Sequence, residues 1–539
     1  MKRRAFIATN AVAAVGIGSI VVEACKNNPS SQKGTNTNSS PGRFELDEIT
    51  IDTLQDKMQH GKWTSENITK LYIDRINDID QQGLMLKSVI EINPDAVAIA
   101  KEMDTERKNG NVRGPLHGIP VLIKDNIDTA DKMTTTAGSL AMGGHIAEQD
   151  AFIVKRLREA GAVLLGKTNL SEWANMRSTR SSSGWSSRGG QTKNPYVMDR
   201  NPCGSSSGSA VAVAANLCTV AIGTETDGSI NCPASVNGIV GLKPTVGLLS
   251  RSGIIPISKT QDTAGPFART VRDVAILLGA LTGTDKNDAA TAEAKGKFKT
   301  DYTPFLDING LSGKRIGIEP KYLKQHEAID SLLANALEQL KRKGAMIVEV
   351  EFMKYYDEVG VDELNVLEYE FKDGLDKYLS NTNTRVKSMQ EVIDFNMKYE
   401  KETMPYFRQE LFDSCVVKGD LNSQQYLESL KKCAGLRATI EKLMNDNNLD
   451  ALCGPATGLA WCTDFINGDH FTGYGAYGPA AVTGFPSITV PMGNVGDLPI
   501  GLSFFSKAFT EPMLLGIAYA YEQASKNRKA PEFKNTYGV

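Results

Sequence analysis

The 539-residue chain is almost neutral, with 60 lysines and arginines against 63 aspartates and glutamates. This balance gives no electrostatic footprint for nucleic acid, so no nucleic-acid partner is expected. Eight cysteines are too few for a disulfide scaffold in a chain of this length. They form no Cys-x-x-Cys pair or Cys/His cluster at metal spacing, which argues against a zinc site.

The first 25 residues are typical of an export signal. Residues 2–4 are basic, and the apolar run 11–22 is shorter than a bilayer span. Residues 22–25 resemble a bacterial lipobox with Cys25 as the acylated residue, and Arg3-Arg4 also resembles a twin-arginine signal. We expect an exported lipoprotein, periplasmic or anchored to the outer membrane, that touches the membrane only through its N-terminal lipid. An ordinary N-terminal membrane anchor is the alternative.

The next segment, residues 26–42, is rich in Ser, Asn, Lys and Pro and has almost nothing to bury. This composition predicts a disordered tether, followed by one large domain over residues 43–539. Cys203 and Cys232 flank the serine clusters of that domain, but the sequence alone cannot pair them.

Alternating helical and strand patterns predict an α/β fold with a largely parallel sheet. Residues 283–311 have few apolar residues and predict a surface connection, and the charged segment 355–447 predicts a helical insertion near the substrate entrance. Helices are predicted at 51–60, 64–80, 93–109, 151–160, 271–281, 327–343 and 512–524. Strands are predicted at 116–126, 162–166, 315–318, 346–350, 449–453, 487–490 and 502–504, and the first two of these are expected to be buried.

Two hydroxyl-rich clusters, residues 204–209 and 223–230, stand out in this pattern. Glycine lets the backbone approach a ligand closely, and serine is the smallest side chain that acts as a nucleophile. A flexible linker has a similar composition, but the small apolar run 210–215 joins the clusters and requires burial.

Two nucleophile systems are compatible with these residues. Residues 204–208 match Gly-x-Ser-x-Gly, which would make Ser206 the nucleophile with His326 or His470 as its base. That elbow must follow a strand, and the prolines at 195 and 202 argue against one. Alternatively, Lys124 at the end of a buried strand is a base if burial lowers its pKa. A lysine that points into water or pairs with Asp125 is the simpler interpretation.

Several separated motifs resemble the amidase signature family, from about Ile49 to the C-terminal helix. They are residues 118–125, 166–169, 204–210, 223–230 with Pro233, and 241–245. The resemblance implies a single α/β domain with a central mixed, twisted sheet that helices cover on both faces. It also implies an amide hydrolase without metal or cofactor.

The resemblance further implies a Ser-cisSer-Lys triad that works through an acyl-enzyme. Ser229 is the nucleophile, Ser206 follows a cis peptide bond and Lys124 is the base. The three consecutive serines allow a shift of one residue, and Ser206 is favoured because a second serine and Gly208 follow it. Ser207 would support the site through a hydrogen bond. The oxyanion hole would be the backbone N–H groups of Thr226, Asp227, Gly228 and Ser229.

Two positions depart from the common family pattern: Asp227 replaces a glycine and Asn231 replaces an arginine. This version resembles the peptide amidase branch, so we expect hydrolysis of peptide C-terminal or other small carboxamides with release of ammonia. The alternatives are the glutaminase subunit of a tRNA-dependent amidotransferase and a non-catalytic surface binding protein.

Overall fold

The computed structural model describes residues 44–538. Eleven strands form one mixed sheet, and two short strands pair separately. In chain order the strands are β1 (Val89–Ile92), β2 (Pro120–Lys124), β3 (Val163–Thr168), β4 (Trp185–Ser186), β5 (Gly190–Gln191), β6 (Val220–Glu225), β7 (Val240–Lys243), β8 (Thr263–Ala268), β9 (Arg315–Ile318), β10 (Met346–Glu349), β11 (Ala451–Pro455), β12 (Ser487–Val495) and β13 (Leu498–Phe505).

The strands of the large sheet lie in the order β1-β3-β2-β6-β8-β7-β12-β13-β11-β9-β10. Strand β2 runs parallel to β3 and β6, and β9 runs parallel to β10 and β11. The other six pairings are antiparallel, so the prediction of a largely parallel sheet is wrong. The mixed sheet that the resemblance implies is the correct architecture. One reason is that β12 and β13 are joined by a tight turn, which only antiparallel neighbours permit.

Strand β8 lies between β6 and β7, although no strand was predicted there. Its sequence contains Pro266, which is paired with Ile222 of β6. Proline has no N–H to donate to a neighbouring strand and normally indicates an edge strand. The sequence therefore gave no indication of an inner strand at this position.

Sixteen α-helices lie in the described residues and flank the sheet. They are α1 (Ile51–Gln59), α2 (Ser65–Arg75), α3 (Ala96–Lys108), α4 (Phe152–Glu159), α5 (Ser207–Ala214), α6 (Asn231–Val236), α7 (Val271–Leu281), α8 (Glu327–Arg342), α9 (Met353–Asp357), α10 (Gly360–Ser380), α11 (Met389–Lys398), α12 (Glu400–Thr403), α13 (Glu410–Val416), α14 (Gln424–Asp446), α15 (Gly478–Thr483) and α16 (Glu511–Ser525). The predicted helices and strands are confirmed in position, with boundaries that differ by a few residues.

Helix α5 explains the small apolar run between the two hydroxyl clusters. All eight of its residues are buried, because the helix packs directly on β2, β3 and β6. Small side chains permit that close approach, so the linker interpretation is wrong. The main apolar core runs from Leu46 near the start of the described chain to Tyr521 in α16.

Helices α9 to α14 cover the segment that we expected to be a helical insertion. Apolar residues of α10, α11 and α13 form a second buried cluster with Trp173 and with the loop that carries Ile255 and Ile257. This cluster fixes α10 against loops that border the site described below.

The predicted export signal, the tether and the lipidated Cys25 lie outside the described residues. Within residues 44–538, none of the helices combines the length and the apolar character that a membrane crossing requires.

Candidate active site

Lys124 is the last residue of β2, and its side chain is fully buried. Its Nζ donates to Ser205 Oγ at 2.8 Å, to Ser206 Oγ at 3.1 Å and to Thr224 Oγ1 at 2.8 Å. Burial penalises the ammonium and lowers the pKa of Lys124 from 10.5 to about 7, although nearby carboxylates oppose the shift. Much of Lys124 is therefore neutral near pH 7 and able to accept a proton.

The interpretation that Lys124 points into water or pairs with Asp125 is wrong. The Asp125 carboxylate instead accepts hydrogen bonds from the Thr136 hydroxyl and the Gly138 N–H, and it forms an ion pair with Arg188. Residues 124 and 125 point to opposite sides of the strand end. Lys124 therefore contacts Ser205 and Ser206 without an ion pair to Asp125.

The two hydroxyl clusters meet at this lysine. A disulfide joins Cys203, just before the first cluster, to Cys232, just after the second. The Ser206 N–H donates to the Ser229 carbonyl at 3.2 Å. Segments 203–206 and 226–232 are thus held side by side, one at the start of α5 and the other between β6 and α6.

The cis peptide bond precedes Ser205, not Ser206, so the predicted position of the cis serine is wrong by one residue. Ser206 is the residue that caps the N-terminus of α5. Gly204 permits this arrangement, since a Cβ there would collide with Ser171 Oγ. Because residues 205–207 are all serine, the sequence alone does not show which of them follows the cis peptide bond.

The two serine hydroxyls next to Lys124 differ in their remaining partners. Ser206 Oγ donates to the Thr224 carbonyl at 2.9 Å and accepts from the Thr224 N–H at 3.1 Å, in addition to Lys124. One donor and two acceptor positions of a hydroxyl are then all occupied. Ser205 Oγ has Lys124 as its only protein partner in the described chain. Only Ser205 keeps a hydroxyl proton that is free to move.

The nucleophile elbow with a histidine base is also wrong. The Ser206 hydroxyl is fully buried and bound to Lys124 and Thr224. His326 and His470 line a different cavity, beside Trp461. No histidine in residues 44–538 forms a hydrogen bond with a serine of either cluster.

Ser207, the predicted supporting residue, donates to the Cys203 carbonyl at 2.5 Å. This bond closes the loop of segment 203–207 and leaves the Ser207 hydroxyl without contact to Lys124. Its effect on the site is to hold the chain on both sides of the cis bond.

Residues 226–229 form the turn after β6, and we call them the nucleophile turn. No group in the described chain accepts a hydrogen bond from their four backbone N–H groups. Gly228 has φ of +75°, and a Cβ there would collide with the Tyr477 ring. Ser229 is 8% exposed, so a small part of it is open to a ligand. Unpaired backbone donors beside a serine are the groups that an oxyanion hole requires.

Glu225 and Asn231 fix the two ends of the nucleophile turn. Glu225 Oε2 accepts from the N–H groups of Ile230 at 2.6 Å and Asn231 at 2.9 Å. The Asn231 side chain donates to Ser487 Oγ at 2.8 Å and accepts from Thr489 Oγ1 at 2.8 Å, both on β12. This departure from the family pattern therefore ties the turn to β12 of the same sheet.

A cavity of about 230 Å³ opens beside the site. Its lining includes Asn126, Thr224 and Thr226 and the aliphatic segment 254–257. Charged residues also line it, among them the Arg251–Asp288 ion pair. The cavity is thus in contact with Thr224 and Asn126, the groups that meet at Lys124.

Thr224 and Asn126 are site residues that sequence reasoning missed. Asn126 Nδ2 donates to Thr224 Oγ1 at 3.1 Å, and that oxygen also accepts from Lys124. A signal existed for Asn126, because residues two apart at a strand end face the same side. Thr224 lies within one of the predicted clusters, but its contact depends on the pairing of β2 with β6.

A lysine made neutral by burial, two serine clusters and a turn of unpaired N–H groups define a class of protein, the amidase signature hydrolases. The chain belongs to this family: the family model described as Amidase matches residues 67–515. It is therefore an amide hydrolase.

Particular relatives cover nearly the whole domain. The solved structure of native peptide amidase from Stenotrophomonas maltophilia is 48% identical, with a TM-score of 0.87, and the match covers 91% of this chain and 100% of that one. A probable amidase of Arabidopsis thaliana is 41% identical over 91% of this chain and 92% of its own length. A glutamyl-tRNA(Gln) amidotransferase subunit of Thermoanaerobacter pseudethanolicus is 32% identical over 91% of this chain and 99% of its own length.

Proposed function

We propose that the protein hydrolyses carboxamides with Ser229 as nucleophile, Ser205 as proton relay and Lys124 as base. The observation that carries this proposal is the buried Lys124 Nζ at 2.8 Å from a Ser205 hydroxyl that has no other protein partner in the described chain. Ser205 thus takes the role that we expected for Ser206, whose hydroxyl is occupied by Thr224.

The first half of the reaction forms an acyl-enzyme. Neutral Lys124 takes the proton of Ser205, Ser205 takes the proton of Ser229, and Ser229 Oγ bonds to the amide carbon. The carbonyl oxygen becomes negatively charged in the tetrahedral intermediate. N–H groups of Thr226, Asp227, Gly228 and Ser229 stabilise that charge, because they have no competing acceptor in the described chain.

Collapse of the intermediate breaks the C–N bond. The proton held by Lys124 returns through Ser205 to the leaving nitrogen, which departs as ammonia when the substrate is a primary amide. Water then attacks the acyl-enzyme, again giving its proton to the relay, and the carboxylic acid leaves while Ser229 regains its proton.

We propose peptide C-terminal amides or other small carboxamides as substrates. The support is the 48% identity to the Stenotrophomonas maltophilia peptide amidase and the Asp227 variant of the nucleophile turn. Glutamine is a second candidate, supported by the match to the glutamyl-tRNA(Gln) amidotransferase subunit over 91% of the chain.

The test is ammonia release from C-terminally amidated dipeptides, aliphatic and aromatic amides, and glutamine, with Ser229→Ala as the matched control. We expect release from the peptide amides, and none from the folded Ser229→Ala variant. Ammonia release from glutamine alone would favour the glutaminase function. No ammonia release from any of these substrates would favour a non-catalytic binding protein. An active Ser229→Ala protein would disprove the nucleophile assignment.

We also propose that the protein is an exported lipoprotein acylated at Cys25. The support is the N-terminal sequence together with the Cys203–Cys232 disulfide, since disulfides persist in oxidising compartments. In a bacterial host, labelled palmitate should be incorporated into the wild type and not into Cys25→Ala. An unlabelled wild type would contradict the proposal.

A further inference from the structure

The Asp227 side chain extends from the nucleophile turn toward the helices after β10. Its Oδ2 accepts a hydrogen bond from the Tyr356 hydroxyl of α9 at 3.3 Å. Its Oδ1 is buried, and no group in the described chain donates to it. A buried carboxylate oxygen without a donor is costly, and that cost falls if the carboxyl carries a proton.

Glu363 is the second carboxyl of this region. It lies on α10 and is 5% exposed. Gln261 Nε2 donates to Glu363 Oε1 at 2.9 Å and lies 3.4 Å from the Thr226 carbonyl. Gln261 thus links Glu363 to Thr226 of the nucleophile turn.

Both carboxyls hold their protons more strongly than usual. Burial raises the pKa of Glu363 to about 7. Burial, followed by the charges of Glu363 and Glu225, raises the pKa of Asp227 well above its ordinary value. The other groups that face this pair are Lys243, Tyr356 and Tyr477 at Asp227, and Gln261, Tyr356 and Cys433 at Glu363.

We propose that Glu363 is a positioning residue for the oxyanion hole. Glu363 anchors Gln261, whose amide reaches the Thr226 carbonyl, and Tyr356 holds the neighbouring Asp227, so the Thr226–Asp227 backbone keeps its place at the reacting carbonyl. The proposal rests on the proposed function, because it assigns a task to the turn that carries Ser229. It also gives helix α10 a part in catalysis.

The arrangement predicts a dependence of kcat on pH. Ionisation of both buried carboxyls creates like charges that repel each other, and this repulsion weakens the hold on Asp227. The oxyanion donors then lose their alignment, so kcat declines on the alkaline side. On the acidic side, kcat rises with pH near 7, because Lys124 loses its proton there and becomes a base.

The experiment compares kcat and KM across pH for full-length wild type, Glu363→Gln and Glu363→Ala. Glutamine resembles the protonated acid, so Glu363→Gln should keep the wild-type kcat below pH 7 and lose the alkaline decline. Glu363→Ala should lower kcat at all pH values by at least about tenfold, with little change in KM, because misplaced catalytic groups act mainly on kcat.

Glu368→Gln is the matched control. Glu368 is a buried glutamate of the same helix, but it accepts a hydrogen bond from the Ser414 hydroxyl and pairs with Lys418 at 2.7 Å, away from the nucleophile turn. Its variant should keep both limbs of the profile. If Glu363→Ala fails to fold by circular dichroism, the Glu363→Gln profile decides alone.

A wild-type alkaline limb in Glu363→Gln would overturn the proposal, as would wild-type kcat in folded Glu363→Ala. Neither result would affect the assignment of Ser229. An active Ser229→Ala protein would instead overturn the proposed function, so the two failures are distinguishable.

Discussion

The division of work between Ser205 and Ser206 makes a prediction that two alanine variants test. Ser205→Ala removes the hydroxyl that accepts from Lys124 and that the proposed proton relay requires. Because a positioned acid–base group contributes about 10²–10⁴-fold to rate, we expect kcat to fall by that factor. The fold should be unaffected, since Lys124 keeps its bonds to Ser206 and Thr224.

Ser206→Ala should affect stability more than catalysis. The Thr224 N–H loses its Ser206 acceptor, whereas the Thr224 carbonyl still accepts from Lys124 at 3.3 Å. One buried unpaired donor costs about 1–3 kcal/mol of unfolding free energy. The loss of one neutral hydrogen bond near Lys124 contributes about 0.5–1.5 kcal/mol, so kcat should stay within roughly tenfold of the wild type.

The assay is kcat for ammonia release from an amidated dipeptide, with urea unfolding of the same samples. Equal loss of kcat in folded Ser205→Ala and Ser206→Ala would refute the reasoning, as would a fully active Ser205→Ala. A stability loss in Ser205→Ala larger than in Ser206→Ala would show that the hydrogen bonds are assigned to the wrong serine.

Three further predictions concern Lys124, the disulfide and the nucleophile turn. Because protonated Lys124 is not a base, kcat/KM should rise with pH through about 7, and a rate unchanged between pH 5 and 9 would contradict the role of Lys124. Cys203→Ser with Cys232→Ser opens a loop of 29 residues and should lower the unfolding free energy by about 3–4 kcal/mol. Urea titration checks this, and an unchanged midpoint would contradict it. Gly228→Ala should lose most activity while remaining folded by circular dichroism, since its Cβ meets Tyr477 at a left-handed φ. Wild-type kcat in that variant would show that the turn tolerates displacement.

The site could be located from the sequence because its chemistry lies in short, local patterns. Lys124 ends an apolar run that had to be a buried strand, and the serine clusters flank a run too apolar to be a linker. The pattern predicts a buried strand, but it left open whether the Lys124 head group is buried, and only the structure shows its burial and lowered pKa.

What the sequence could not supply are contacts between distant segments and choices between identical residues. The register of Ser205 and Ser206 depends on one peptide bond, and the partners of Cys203 and Glu363 depend on the fold. Strand β8 could not be predicted for a similar reason. Its Pro266 is unfavourable in an inner strand, and the strand depends on pairing with β6 and β7 on both sides.

The aliphatic wall of the cavity has a practical consequence for engineering. Residues 254–257 are consecutive and lie outside every strand and helix, in the connection between β7 and β8. Lys124, Ser205 and Ser229 belong to other segments. A single mutagenic cassette over four codons therefore varies this whole aliphatic segment of the cavity lining and leaves Lys124, Ser205 and Ser229 unchanged.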